Sequence, residues 1–241
     1  MKILYLLLIT YYFIPKCNSQ TIQIDYYYNY KYSEVNPKDT LLGKLLHQNE
    51  ISVFNIPKYF FKPNTIDFDM DGNIIGEIDS VQNQVYKNFK EKNIFSYSDV
   101  LFQKKITIKE PIIDVKYTLT GNRKIILGFE CSEAKFDYKG RTYFAYFTES
   151  IPIKDGPWKF YGLPGLILDV REENDVIHLW AIKINQLNDD LKIAPTIELT
   201  NTKSWEQIIT DAKKAYFDYK ECCNNATIYT PNVIEMYDLN N

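Results

Sequence analysis

Histidine is scarce in this chain, because only His47 and His178 carry an imidazole among its 241 residues. Neither stands in a local motif with a serine or cysteine nucleophile and a carboxylate, so nothing supports a catalytic triad. Zinc-type spacings of cysteine and histidine and glycine-rich phosphate loops are also missing. We therefore expect no cofactor, and we consider binding before catalysis as the class of function.

Neither sign of charge is in large excess, because the chain has 28 basic and 31 acidic residues and a formal net charge of −3. Proteins that bind nucleic acid need clustered lysine and arginine to contact phosphates, so we expect no nucleic-acid partner. Hydrophobic residues make up 45% of the chain, which is too high a share for a disordered protein. No internal repeat or low-complexity tract is present, and we expect one folded domain.

Long hydrophobic runs are missing after Ile14. The run from Ile3 to Ile14 has 12 residues and cannot cross a hydrocarbon core of about 30 Å. A lysine precedes this run, and small residues occupy positions −3 and −1 before a cut after Ser19, as in a secretory signal peptide. Cys17 could instead carry a lipid, but Lys16 is bulky where a small residue is required. We therefore expect a signal peptide over residues 1–19, and an exported domain over 20–241 that has no transmembrane span.

Short stretches of alternating hydrophobicity make up most of the remaining chain, and turn residues separate them at close intervals. Because no long crossover segments lie between them, these strands should pair antiparallel with their neighbours. One of the hairpin turns is expected at Thr120-Gly121-Asn122. The pattern predicts a mainly β fold with an antiparallel, strongly curved sheet or half-barrel, and a closed barrel or a sandwich is the alternative.

One helix is predicted near the C-terminus. Ser204 and Gln207 have the spacing of a capping box, in which the two residues satisfy each other's backbone N–H groups at a helix start. Hydrophobic residues then recur at helical spacing: Trp205, Ile208, Ile209, Ala212, Tyr216 and Tyr219. This stripe predicts that the helix packs on one face of the sheet.

Three acidic residues suggest a weak metal candidate. Asp67, Asp69 and Asp71 alternate before Gly72, which resembles the first half of a calcium loop, but the required glutamate at the twelfth position is Ile78. The same alternation on a strand would place the three carboxylates on the solvent side of a hairpin with an Asp-Gly turn. The hairpin is the preferred interpretation, and calcium binding is the alternative.

Three cysteines follow the expected cleavage site. In an oxidising compartment, Cys131 could pair with Cys222 or with Cys223 and leave one thiol unpaired. Cys131 could equally be a small core residue on a strand. The sequence leaves both interpretations open.

Proline and glycine are concentrated between Glu149 and Leu168, which predicts a long loop of defined shape. Leu163-Pro164-Gly165-Leu166 fits a type II turn, in which Gly165 would supply the positive φ. The run 166–168 that follows is typical of a strand buried on both faces. Because large hydrophobic residues are costly to expose, we expect much of this loop to pack against the core.

The same segment resembles a known family. Residues 162–167 are Gly-Leu-Pro-Gly-Leu-Ile, the signature after which the GLPGLI family of exported bacterial proteins is named. Further similarity to the family pattern extends over residues 115–170 and includes Lys124-Ile125, Gly128-Phe129-Glu130-Cys131, Ala134, Gly140-Arg141, Ala145-Tyr146-Phe147-Thr148, Ile151-Pro152 and Gly156-Pro157-Trp158-Lys159-Phe160. Where the family usually has Tyr and Trp, this chain has Phe129 and Tyr146, which preserve the bulk of the ring.

This resemblance implies one GLPGLI-type domain of uncharacterised activity that is exported in Gram-negative bacteria. We therefore expect it in the periplasm, at the outer membrane or outside the cell. Genes of the family often neighbour those of TonB-dependent outer-membrane receptors, which implies a role in the cell envelope. The family pattern contains no catalytic residues to assign here. The candidate partner-contact residues are therefore those of the motif region: Arg141, Gly156, Pro157, Trp158, Lys159, Gly162, Leu163, Pro164 and Gly165.

Two functions remain after these exclusions. The first is a non-enzymatic envelope protein, either a carrier of an apolar ligand or an accessory module of a TonB-dependent receptor or another envelope protein. The alternative is an envelope hydrolase or redox enzyme that uses Cys131 or a carboxylate pair, and it would need an exposed thiol with a lowered pKa. If the loop is purely structural, Trp158 and Phe160 should be core residues while Lys159 extends its ammonium group into water.

Overall fold

The computed structural model describes residues 21–30, 40–61, 67–68, 74–75, 78–98, 106–187, 193–211 and 214. Within these residues the chain forms thirteen strands and one helix, α1, over residues 205–211. The strands are β1 (Thr21–Tyr30), β2 (Leu41–Gln48), β3 (Ile51–Phe61), β4 (Asp67–Phe68), β5 (Ile74–Ile75), β6 (Ile78–Asn88), β7 (Asn93–Ser98), β8 (Ile106–Pro111), β9 (Tyr117–Ile126), β10 (Phe129–Tyr138), β11 (Arg141–Thr148), β12 (Leu166–Glu172) and β13 (Ile177–Leu187).

Eleven of these strands form one antiparallel sheet in the order β8-β7-β6-β3-β2-β1-β13-β12-β11-β10-β9, while β4 pairs with β5. The sheet is open, because β8 and β9 stand at its two ends and do not pair with each other. The predicted mainly β, antiparallel fold is therefore confirmed. The closed barrel and the sandwich are wrong, since the strands of this sheet pair edge to edge in a single layer.

The sheet must curve strongly to accommodate its own connections. Ten strand spacings of about 4.8 Å would separate the ends of a flat eleven-stranded sheet by about 48 Å. Residues 112–116 connect β8 directly to β9, and a connection of that length spans at most about 21 Å. We call the face that carries Tyr26, Phe54 and Ala145 the inner face, because it holds the main buried cluster, and the face that carries Tyr27 and Trp180 the outer face.

The turn between β9 and β10 lies at Leu127 and Gly128, so the prediction of a turn at Thr120-Gly121-Asn122 is wrong. Both turn residues have positive φ, 50° and 85°, as a tight type I′ hairpin turn requires. Gly121 also has positive φ, 87°, but it lies inside β9 where the register with β10 shifts. A bulge and a hairpin turn can both use a glycine with positive φ, and local sequence does not separate them.

The capping box that begins α1 is confirmed. The Ser204 N–H donates to Gln207 Oε1 at 2.8 Å, and the Gln207 N–H donates to Ser204 Oγ at 3.2 Å. Ile208 is fully buried, while Ala212, Tyr216 and Tyr219 lie outside the described residues. Among the residues that the structure describes, no helix combines the length and the hydropathy that a membrane crossing requires.

The Gly-Leu-Pro-Gly segment does not form the predicted type II turn, because the residue with positive φ is Gly162, at 88°, and not Gly165. Gly165 serves a different purpose, since a Cβ added there would lie 2.0 Å from the carbonyl oxygen of Thr148. The backbone of Gly165 therefore passes directly against the end of β11. The predicted burial of the run 166–168 is confirmed, because these residues have no exposed surface.

We expect Gly165→Ala to lower the free energy of unfolding by about 2 kcal/mol or more, because the added methyl group meets backbone atoms. Gly128→Ala is the matched control, since nothing lies within 4 Å of its added Cβ. That control should lose only about 1 kcal/mol from its positive φ. Urea denaturation followed by tryptophan fluorescence measures both variants, and equal losses would contradict the close approach at Gly165.

Candidate functional site

The residues between β11 and β12, 149–165, fold against the inner face of the sheet. The centroid of the Phe160 ring lies 4.8 Å from that of Tyr143 and 6.0 Å from that of Phe136. Trp158 packs on Phe160 at 5.3 Å, and both rings are buried, as the structural interpretation of the loop predicted. In the described part of the chain, this loop packs on the concave, inner side of the sheet.

A fully buried carboxylate, Asp155, anchors the loop to the sheet. Its Oδ2 atom accepts a hydrogen bond from Nδ1 of His47 on β2 at 2.9 Å, and its Oδ1 atom forms an ion pair with Nζ of Lys87 on β6. Lys87 is also fully buried, and it donates to the carbonyl oxygens of Gly156 at 2.7 Å and Phe160 at 3.4 Å. The Asp155 carboxylate and the Lys87 ammonium group therefore hold the loop against the sheet through several contacts.

Strand alternation places His47, Ser52 and Lys87 in one row on the inner face. His47 lies opposite Ser52 on β3, and Ser52 lies opposite Lys87 on β6. Within the described residues, the Ser52 hydroxyl has no hydrogen-bond partner. A serine, a histidine and an aspartate are thus neighbours, as in a hydrolase. However, Ser52 and Asp155 have no exposed surface, so a substrate does not reach the hydroxyl in this structure.

The charges of this cluster set its protonation. Burial alone would raise the pKa of Asp155, but the Lys87 ammonium group and His47 outweigh burial and lower the pKa to about 2. Burial lowers the pKa of Lys87, and the charge of Asp155 opposes that effect. Burial and then the charge of Asp155 raise the pKa of Tyr26, whose hydroxyl donates to the carbonyl oxygen of Ile167 at 2.6 Å. Asp155 is therefore ionised at neutral pH and acts as a fixed acceptor.

A second buried ionic cluster connects the same loop to the end of the sheet. Glu110 on β8 accepts hydrogen bonds from Lys159 in the loop and from Lys139 in the β10–β11 turn, each at 2.5 Å. Burial would raise the pKa of Glu110, but the two ammonium groups lower it. The Trp205 ring of α1 covers both ammonium groups, with its centroid 5.7 Å from Lys159 and 4.8 Å from Lys139. The helix therefore packs where the loop meets β8.

Most of the candidate partner-contact residues lie in this interior. Gly162, Pro164 and Arg141 are half-buried, whereas the others are buried: Gly156, Pro157, Trp158, Lys159, Leu163 and Gly165. The expectation that Lys159 extends into water is wrong, because its ammonium group is paired with Glu110 inside the protein. Contact between these residues and a partner stays a prediction, and it would require the loop to leave the core.

Cys131 lies on β10 with its side chain buried, and its Sγ atom donates to the carbonyl oxygen of Phe129 at 3.4 Å. Burial raises the pKa of the thiol. In the parts of the chain that the structure describes, no three His, Cys, Asp or Glu residues are grouped as metal ligands. The disulfide and calcium hypotheses stay predictions. Cys222 and Cys223, the possible partners of Cys131, lie outside the described residues, as do Asp69 and Asp71 of the calcium candidate, whereas Asp67 is in β4.

The outer face presents a row of polar and aromatic side chains. Successive strands from β10 to β1 place five residues directly opposite one another: Glu133, Tyr146, Asp169, Trp180 and Tyr27. Asp169 accepts a hydrogen bond from Lys124 Nζ at 2.7 Å and lies 3.1 Å from His178 Nε2. Burial would raise the pKa of Asp169, but His178 and Lys124 lower it.

Unlike the inner clusters, this outer row reaches solvent. The Tyr27 ring is 40% exposed, and it meets the Trp180 ring edge to face at 5.7 Å. The centroid of the His178 ring lies 4.5 Å from that of Trp180, and the His178 side chain is 33% exposed. The Lys124 ammonium group lies 3.9 Å from the centroid of the Tyr146 ring. Charged and aromatic groups are therefore held together on an accessible surface.

Residues 74–169 match the model of a family described as a protein of unknown function, Porph_ging. The Porph_ging match includes Lys87, Glu110, Asp155 and the Gly-Leu-Pro-Gly-Leu-Ile motif, so both buried ionic clusters lie largely within it. The match thus supports the resemblance to a family of unknown function, while the GLPGLI name itself stays a prediction. No curated protein is significantly similar to this chain in sequence.

Two solved structures of PNGF-II, in space groups P21 and C2, share the fold. Their TM-scores are 0.50 and 0.51, with sequence identities of 14% and 13%. Each comparison covers 81% of this chain and 34% of the PNGF-II chain. This chain therefore spans about a third of the length of PNGF-II, and at this identity the likeness concerns the fold alone.

Sequence reasoning missed His47, Lys87 and Asp155 as a group. The sequence did contain one indication. On a strand, Lys87 lies on the same face as Val85 and Phe89, which would place its ammonium group on the inner face. A lysine buried in that way requires a carboxylate partner. The spacing of Val85 and Phe89 also fits a helix, and this ambiguity concealed the alternation of β6.

We expect Asp155→Asn to lower the free energy of unfolding by about 3–5 kcal/mol, because the amide leaves the Lys87 ammonium group buried without a counter-charge. Urea unfolding between about pH 2 and pH 7 measures the loss. In the wild-type protein, folding lowers the pKa of Asp155 from 3.8 to about 2. Its contribution to stability is therefore complete above pH 3.8 and is lost as the pH falls toward 2.

The Asp155→Asn variant should lack this part of the acid dependence. Asp175→Asn is the control, because Asp175 is exposed in a turn and its pair with Arg171, at 3.9 Å, is screened by solvent. That control should keep the wild-type stability and the wild-type pH profile. An Asp155→Asn protein that is as stable as the control would contradict the role of Asp155 as an anchor.

Proposed function

We propose that the protein is an exported, non-enzymatic binding module of the cell envelope that recognises a partner protein through the outer face of β1, β12 and β13. The partner we favour is a TonB-dependent outer-membrane receptor, because the resemblance to GLPGLI proteins implies that association. The signal-peptide pattern of residues 1–19 supports export to the periplasm or the outer membrane. A net charge of −3 argues against nucleic acid as the partner.

The observation that carries this proposal is that the ionic groups of the inner face are buried, whereas the polar and aromatic side chains of the outer face reach solvent. Asp155, Lys87 and Glu110 are buried and are committed to holding the loop and the sheet together. Tyr27, Trp180 and Arg171, which lies two residues after Asp169 on β12, share the outer face and are partly or fully exposed. Tyrosine, tryptophan and arginine are the residue types that dominate protein interfaces. A broad sheet face suits a protein partner better than a small ligand, since small ligands are usually bound in concave sites.

The outer-face row is also preorganised for binding. Asp169 is held between Lys124 and His178, and the Trp180 ring is held between His178 and Tyr27. Side chains that neighbours already restrict lose little conformational entropy when a partner binds. The preorganised rings therefore support recognition at this face.

Other observations bear on the alternative functions. Burial raises the pKa of the Cys131 thiol, which is opposite to what a cysteine nucleophile needs. Glu110 and Asp155 are each paired with lysine, so neither forms the carboxylate pair that the enzyme hypothesis requires. The fold forms about a third of the longer PNGF-II chain, which supports its use as a module.

We expect a photo-crosslinking amino acid at Tyr27 of the tagged protein to form a discrete adduct with an outer-membrane receptor in living cells. The same amino acid at Glu50, which is exposed in the β2–β3 turn, should form none. Mass spectrometry identifies the adduct, and Arg171→Glu on the same face should weaken it without changing the urea midpoint. No adduct at Tyr27, or the same adduct at Glu50, would contradict the proposed face.

A further inference from the structure

The two ends of the sheet differ in how their outer edges are covered. At β8 the chain returns along the edge, because the Lys203 N–H donates to the carbonyl oxygen of Thr107 at 3.0 Å and the Lys109 N–H donates to that of Lys203 at 2.9 Å. In the described residues, β9 pairs only with β10. An edge strand without a second partner strand is a template for pairing with another chain.

The side chains of β9 strengthen this expectation. Tyr117, Leu119 and Ile125 share the inner side of the strand, and they are 38%, 58% and 73% exposed. Leu127 in the following turn is 43% exposed. Soluble monomers normally protect an edge strand with charges, a bulge or a covering segment. β9 has the bulge at Gly121 and the basic residues Arg123 and Lys124, and it still exposes these large apolar groups. The exposed apolar strip therefore calls for a partner surface that is itself apolar.

We propose that β9 pairs antiparallel with β9 of a second copy of this chain, around a two-fold axis at Asn122. This register places Leu119 opposite Ile125 of the partner subunit, and it brings Tyr117 next to the β9–β10 turn of the partner subunit, which contains Leu127. The two-fold axis repeats each pair, because the same surface serves both subunits. The four residues that are exposed in one copy thus cover one another in the dimer.

The basic residues of β9 favour this register over its neighbours. With Asn122 on the axis, Arg123 faces Gly121 of the partner subunit and Lys124 faces Thr120 of the partner subunit. Moving the axis to Arg123 would place the two arginines directly opposite each other, and such like-charge pairs are destabilising. The dimer with Asn122 on the axis has no like-charged pair.

Moving the two-fold axis from Asn122 toward Thr120 is also unfavourable. With Gly121 on the axis, Leu119 would face Arg123 of the partner subunit, and its apolar pair would be lost. With Thr120 on the axis, Lys116 would face Lys124 of the partner subunit. The Asn122 register is therefore favoured over the neighbouring registers on both sides.

Sedimentation of the purified protein over a range of concentrations tests the dimer. We expect a monomer–dimer equilibrium, and we expect the double variant Leu119→Lys with Ile125→Lys to raise the dissociation constant about tenfold or more. Leu199→Lys is the matched control, because Leu199 is 41% exposed but lies outside β9, and it should leave the constant unchanged. A wild-type protein that stays monomeric, or a double variant that keeps its urea midpoint and dimerises as well as wild type, would overturn the proposal.

A variant with one added cysteine tests the register. Residues opposite each other in an antiparallel pair are about 4.5–5.5 Å apart at Cα, which a disulfide can bridge. Asn122→Cys should therefore link two subunits through the same position under mild oxidation, whereas Thr118→Cys, which faces Ile126 of the partner subunit, should not. Equal linking by both variants would overturn the register. A link from the Asn122→Cys thiol to Cys222 or Cys223 of the same chain would overturn the second copy as the occupant of this edge.

Discussion

The buried ion pair of Lys87 and Asp155 is the interaction on which the rest of this structure depends. An open sheet of eleven strands has to cover its inner face, and in the described residues the loop of residues 149–165 packs on that face. Because a loop has no regular ladder of backbone hydrogen bonds, a few strong polar contacts must fix it. Asp155 makes three of them, to Lys87, to His47 and to the N–H of Gly156 at 2.8 Å.

Buried charges of this kind define one arrangement of the loop more than they add to net stability, because desolvation offsets much of the attraction. Trp158 illustrates how firmly the loop is held, since its φ of 50° is unfavourable for a bulky residue and persists only where its surroundings impose it. The reactive groups of the interior are thereby committed to the fold. We propose that recognition takes place at the surface, where the outer-face row would bind one partner and the β9 edge another.

Local patterns predicted much of the fold and little of the site. Alternating hydrophobicity identified the antiparallel strands, and Ser204 with Gln207 marked the start of α1, because both signals act over a few residues. The roles of Gly121 and Gly165 could not be predicted in the same way, since a bulge and a close approach to β11 depend on neighbouring strands. The pairing of Lys87 with Asp155 joins a strand to a distant loop, and only the folded topology brings them together.

A double-mutant cycle between Lys87 and Asp155 tests the central role of their ion pair most directly. The free energy of unfolding in urea at neutral pH is measured for the wild type, Lys87→Met, Asp155→Asn and the double variant. We expect each single variant to be strongly destabilised, because each leaves a buried group without its partner. The double variant should then lose about 1–3 kcal/mol less than the two single losses added together. Losses that simply add would contradict the account, because they would show that the two side chains stabilise the fold independently.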